Sequence, residues 1–177
     1  YCHRGWVRVV YEDQGPPFVM EAGDCVLQPP EIRHRVLESS AGLEVIEVGC
    51  PAVHDTMTDP DCDLPTEVLA GDRVFGSDPP YSPQRFVRHQ ARGAAWINDP
   101  QRGWAYRDTG IGEATGGLAG VRVLRRGRDA VPGVEPVVEP GRGAELCFVV
   151  LLEGEATLHN GPEQSRLEQR GETECAE

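Results

Sequence analysis

Lysine is absent from this chain: all seventeen basic residues are arginine. Schiff-base chemistry, which needs a lysine amine, is therefore closed to it. Positive charge is scarce as well, since 29 acidic residues outnumber the arginines and leave a formal net charge of −12. A surface of that sign argues against nucleic acid and anionic membrane as partners. Long apolar runs are missing; the longest, Leu146 to Leu152, is seven residues, far short of a membrane span. The six cysteines, Cys2, Cys25, Cys50, Cys62, Cys147 and Cys175, form no CxxC pair, and no signal-like pattern opens the chain. They are expected as reduced thiols of a cytoplasmic protein. No G-x-S-x-G elbow, phosphate loop or dinucleotide fingerprint occurs, so no nucleotide cofactor is expected.

What is present points to strands. The 21 glycines and 15 prolines, with aliphatic content rich in valine, favour short strands joined by turns over helices. At 177 residues the length fits one domain or two small ones.

An internal repeat divides the chain. Tyr1–Gly5 (YCHRG) aligns with Val150–Gly154 (VLLEG), and a strand pattern follows each: WVRVVY from Trp6 and EATLH from Glu155. A turn comes next, at Gly15-Pro16-Pro17 and at Asn160-Gly161-Pro162, then a second strand leading to Gly23-Asp24 and Gly171-Glu172. Gly5 to Gly23 spans 18 residues, Gly154 to Gly171 spans 17, and the copies are offset by 149. The expectation is the rear of one β-domain (1–55), a connecting region (56–117), and the front of a second, related domain (118–177). Both ends then read as cuts. Gly42–Val48 alternates as a further strand, Asp63–Ala70 has the pattern of a short helix capped by Asp63, and Asp108–Gly117 is a turn or helical candidate stopped by its glycines. From Gly120 to Leu124 the alternation resumes.

One stretch carries a more specific signal. In GDCVLQPPEIRH the spacing is Gly23, five residues, Pro29, one, Glu31, two, His34, three, Glu38. It resembles the second signature motif of the cupin superfamily: G, five residues, P, one, G, two, H, three, N. Glu31 stands in place of the second glycine and Glu38 in place of the asparagine. With the repeat, the chain is similar to a bicupin of two RmlC-like jelly-roll barrels. The fold this implies is all-β, double-stranded β-helix barrels in two related copies with an irregular connecting segment. A barrel of this size can hold one small ligand inside. The resemblance covers residues 1–55 and 118–177.

The resemblance also sets expectations for a site. Cupins hold a metal with three histidines and a glutamate, of which motif two supplies one histidine. His34 is then the single candidate ligand here, for one divalent transition metal (Fe, Mn, Ni or Zn) in the N-terminal barrel. Gln28, Val36 and Glu38 would lie near the cavity, and strand parity turns Cys2 inward and His3 outward. In the second copy the glutamate position of motif one falls on Cys147 and the histidine positions near Gly141 and Gly143. No metal is expected there. A plain reading of His34 as a strand-start residue stays open, since a lone imidazole holds no metal tightly.

Other polar groups give weaker signals. Cys50, His54, Asp55, Asp59 and Cys62 match no zinc spacing and read as a loop. His159 falls at a hairpin, and His89 in an arginine-flanked segment that reads as surface. Arg107-Asp108 near Glu113 reads as a helix cap or, alternatively, as a buried pair.

Two functions remain: a metal-dependent enzyme of the dioxygenase or isomerase class acting on a small organic acid or sugar, or a metal-free small-molecule-binding or structural cupin. No catalytic residue is assigned. The expected partners are a small-molecule ligand and, through exposed strand edges, a second copy in a homodimer.

Overall fold

The computed structural model describes residues 1–55, 58, 64, 73–76, 81, 83–127, 143–160 and 163–168. They are all-β apart from one short helix, and the strands form several small antiparallel sheets. Among the described residues no sheet closes into a barrel. The chain divides into two compact units, Tyr1–Val137 and Val138–Glu177.

The first unit is organised by strand β2 (Trp6–Tyr11), which lies between β3 (Phe18–Glu21) and β5 (His34–Ser39). Val7, Val9 and Tyr11 alternate to one face, where Met20 and Phe18 stand opposite Val7 and Val9. Ile32 and Phe75 cover this row, with Val26, Leu43 and Phe86 packed beside them. Each such side chain contributes about 1.5–3 kcal/mol when fully buried. β1 (Cys2–Arg4) pairs with β6 (Glu44–Val45), the only strand formed within the expected Gly42–Val48.

Left-handed glycines turn the chain between these strands. Gly5 has φ 74, and a Cβ there would stand 2.3 Å from Ser40 Oγ, which accepts the Trp6 N–H. Gly23 has φ 95, and its Cβ would stand 2.9 Å from the Cβ of Ala91.

The region 56–117, expected to connect two domains, is built into this unit. It supplies β7 (Val74–Phe75), β8 (Gln84–Arg85), β9 (Val87–His89), β10 (Ile97–Asp99), β11 (Trp104–Asp108) and helix α1 (Ile111–Ala114). β9 pairs with β4 (Cys25–Leu27), and β11 pairs along its whole length with β12 (Arg122–Arg126). The boundary between the two compact units falls at 137/138, and β4 and β12 both find their partner strands within 56–117. The candidate Asp108–Gly117 forms α1, stopped by Gly116 and Gly117 at φ 61 and 91. The expected helix over Asp63–Ala70 and the turns at Gly161 and Gly171 lie outside the described residues.

The second unit contains a hairpin of β13 (Glu155–Asn160) and β14 (Glu163–Glu168), entered through Gly154 at φ 87. Each repeat copy thus yields a hairpin behind a left-handed glycine. In the stretch before it, Leu146, Phe148, Val149 and Val150 are exposed.

Gly23→Ala should lower stability by about 2 kcal/mol or more, because it adds a left-handed penalty to a contact with the Ala91 Cβ that has no room. Urea unfolding checks this, and an unchanged midpoint would contradict the packing described.

Candidate functional site

The inner face of the β3–β2–β5 sheet is covered over β2 and β3 but open along β5. Every residue of β5 is exposed, including Val36 at 60%, although Val36 stands opposite the buried Val9. Tyr11 lies beneath this open edge, opposite His34, and is 2% exposed. Its ring stacks on Phe18 (5.9 Å, 18°) and on His34 (5.3 Å, 16°), and Phe86 lies tilted at 4.8 Å. Gln28 Nε2 donates to the Tyr11 hydroxyl at 2.7 Å. Burial pushes the Tyr11 hydroxyl above its ordinary range, so it stays protonated. At the far end of the stack the guanidinium of Arg88 lies 3.9 Å from the Phe18 ring centre. The result is a column of Arg88, Phe18, Tyr11 and His34 with polar ends and an apolar middle.

The approach to His34 is built by the backbone. Ile32 N donates to Pro29 O, with Pro30 and Glu31 between them and Glu31 at φ 67. This is the arrangement of a type II turn, whose third position favours glycine. Glu31 occupies the place where the motif it resembles has one. Glu12 then clamps the turn to the end of β2. Only 8% exposed, it accepts from Arg33 N at 3.3 Å and Arg33 Nη2 at 2.9 Å, and Arg73 reaches the same oxygen at 3.4 Å. Arg73 also pairs with Asp13. The hydrogen bond from the Arg33 guanidinium, above all, holds the Glu12 carboxyl below its ordinary value.

Of the residues expected around the cavity, Gln28, His34 and Val36 meet here. Glu38 does not. The register of β2 against β5 slips between Val9–Val36 and Arg8–Glu38, so Leu37 is an extra residue and a β-bulge. The slip reverses the parity of everything beyond it, and Glu38 stands opposite exposed Arg8 on the other face. Cys2 is buried at 0% but lies outside the Tyr11 cluster, with its thiol directed at Gly5 O (3.5 Å). Burial raises its thiol above the ordinary range.

Among the described residues no three His, Cys, Asp or Glu side chains converge to hold a metal ion. His34 has Ile32 O 3.5 Å from Nδ1 and an aromatic ring against its face.

His89, expected at the surface, is a correction. Its strand pairs with β4, and its Nε2 is buried with no hydrogen-bond partner. Nearby, Arg107 is 9% exposed and makes no ion pair among the described residues, which excludes the alternative of a buried pair with Asp108. Asp108 instead accepts from Gly110 N just before α1 and pairs with Arg122. The sequence signal for a buried His89 was the alternation of VRH, masked by the flanking arginines. His54 binds locally to Pro51 O (2.8 Å); Asp59, Cys62 and the side chain of His159 lie outside the described residues.

No protein-family model, curated protein or solved structure matches the chain.

Glu31→Gly should raise stability by about 0.5–1 kcal/mol, relieving a left-handed penalty that exceeds the added chain entropy; calorimetry reads this directly, and a lower Tm would refute the turn assignment. Glu12→Gln should cost about 1–2 kcal/mol, moderated because Arg33 and Arg73 are partly solvated. Because the folded carboxyl is depressed, Glu12 stabilises fully above its ordinary value of 4.5 and loses that contribution as pH falls through the lower folded value. The difference between wild type and Glu12→Gln should therefore shrink on acidification, and a constant difference from pH 7 to pH 3 would overturn the clamp.

Proposed function

We propose that this is a cupin-type protein that binds a small molecule, without resident metal, in the cleft of Tyr11, Gln28, His34 and Val36. The observation that carries it is the open edge of the inner sheet face, where exposed His34 and Val36 line β5 and exposed Gln28 donates to the buried Tyr11 hydroxyl. Ligand sites combine apolar walls with a few placed polar groups in this way. The cupin reading draws support from the Gly23, Pro29 and His34 spacing, from left-handed Glu31 at a glycine position, and from the two hairpins behind Gly5 and Gly154. Two barrels related by the repeat, a cytoplasmic setting and no nucleic-acid or membrane partner belong to the same proposal. So does a homodimer, because among the described residues β5 has a strand on one side only, and it exposes Val36 and Leu37.

Exposed Val36 would take the apolar body of a ligand, Gln28 and His34 would orient its polar groups, and the buried Tyr11 ring would hold both in place. Since both polar residues touch Tyr11, one side chain sets the position of each.

Thermal shift against a panel of small organic acids and sugars tests the reading. A binding compound should raise Tm by about 3 °C or more, and His34→Ala and Val36→Arg should each remove most of that rise. If every hit keeps its full shift in both variants, the cleft is not the site. Elemental analysis belongs with it: near-stoichiometric Fe, Mn, Ni or Zn that His34→Ala loses would replace this reading with the metal-dependent one.

A further inference from the structure

A second polar site lies between β9, β11 and the turn at Gly23, separate from the Tyr11 cleft. Its centre is the Arg107 guanidinium, more than nine-tenths buried. Nη1 donates to Ala91 O at 3.1 Å, while Nε is buried without a partner. Asp24, which bonds the same Ala91, is already committed: Oδ1 accepts from Ala91 N at 2.8 Å and Oδ2 from Glu21 N at 3.0 Å. The other orphaned polar atom among the described side chains is His89 Nε2, in the same neighbourhood. Burial, and then the charge of Arg107, hold His89 below its ordinary range, so the ring is neutral and can donate from Nε2. Both Arg107 and Arg125 lie over the Trp96 ring, at 4.7 and 3.9 Å.

A guanidinium taken out of water without a counter-charge is costly, and an unmade hydrogen bond adds to the cost. The expense is conspicuous in a chain with a 12-charge excess of acid, where carboxylates are plentiful yet none described is spent on Arg107. The guanidinium fork suits a planar oxyanion in particular. Gly23 contributes by keeping the space beside Arg107 Nη2 free of a side chain, since a Cβ there would stand 3.7 Å from that nitrogen.

We propose that the Arg107–His89 corner binds a small carboxylate anion, with the guanidinium as counter-charge and the neutral imidazole as second donor. The site is independent of the cleft reading, because it shares no residue with it.

The test uses sodium acetate as probe against sodium chloride at equal ionic strength and pH 7.5. Acetate at about 0.1 M should raise the Tm of the wild-type chain by about 3 °C or more over chloride. Arg107→Lys keeps the charge but loses the fork, and His89→Leu removes the second donor. Each should cut the acetate-specific rise by at least about half, and Arg107→Gln should abolish it. The two milder variants carry the test if Arg107→Gln fails to fold. Equal Tm in acetate and chloride for the wild type, or a full acetate rise in both milder variants, would overturn the proposal and leave the orphaned atoms to an ordinary buried water.

Discussion

The inward row of β2 is the constraint on which the first unit depends. Val7, Val9 and Tyr11 share one face because a strand has period two, and they are buried because β3 supplies Met20 and Phe18 directly opposite. Tyr11 does the most. Its ring joins the core to the cleft, touching Phe18 and Phe86 on the buried side and His34 on the open side, while its hydroxyl fixes Gln28. Tyr11, Phe18, Phe75 and Phe86, four of the chain's eleven aromatic residues, pack in this one cluster.

Electrostatics follow from having arginine alone as the cation. A planar guanidinium can stack as well as pair, and five of them here lie over aromatic rings. Arg33 and Arg73 answer the buried Glu12 and so pin the turn that leads to His34. Arg107 is the opposite case, buried with an aromatic ring beside it and no described carboxylate. The contrast separates charge used to build the fold from charge the fold leaves available.

The hairpins and the β-class were legible in the sequence, since each depends on neighbours within about twenty residues. Glu38 was misplaced because parity was counted through Leu37, and a bulge has no local signature of its own in HRVLES. His89 was misjudged because flanking arginines look solvated, whereas the pairing of Val87–His89 with Cys25–Leu27 spans some sixty residues of chain.

By itself, then, the sequence determined the local matters: strand alternation, the placing of the turns, and a chain rich in acid and without lysine. Only the tertiary structure decided which strands complete β4 and β12, which side of the sheet Glu38 takes, and which cation is left buried without a counter-charge. The physical reason is that alternation and turn chemistry are properties of adjacent residues. Register and the pairing of buried charges are settled by partners distant in sequence, whose identity no short stretch contains.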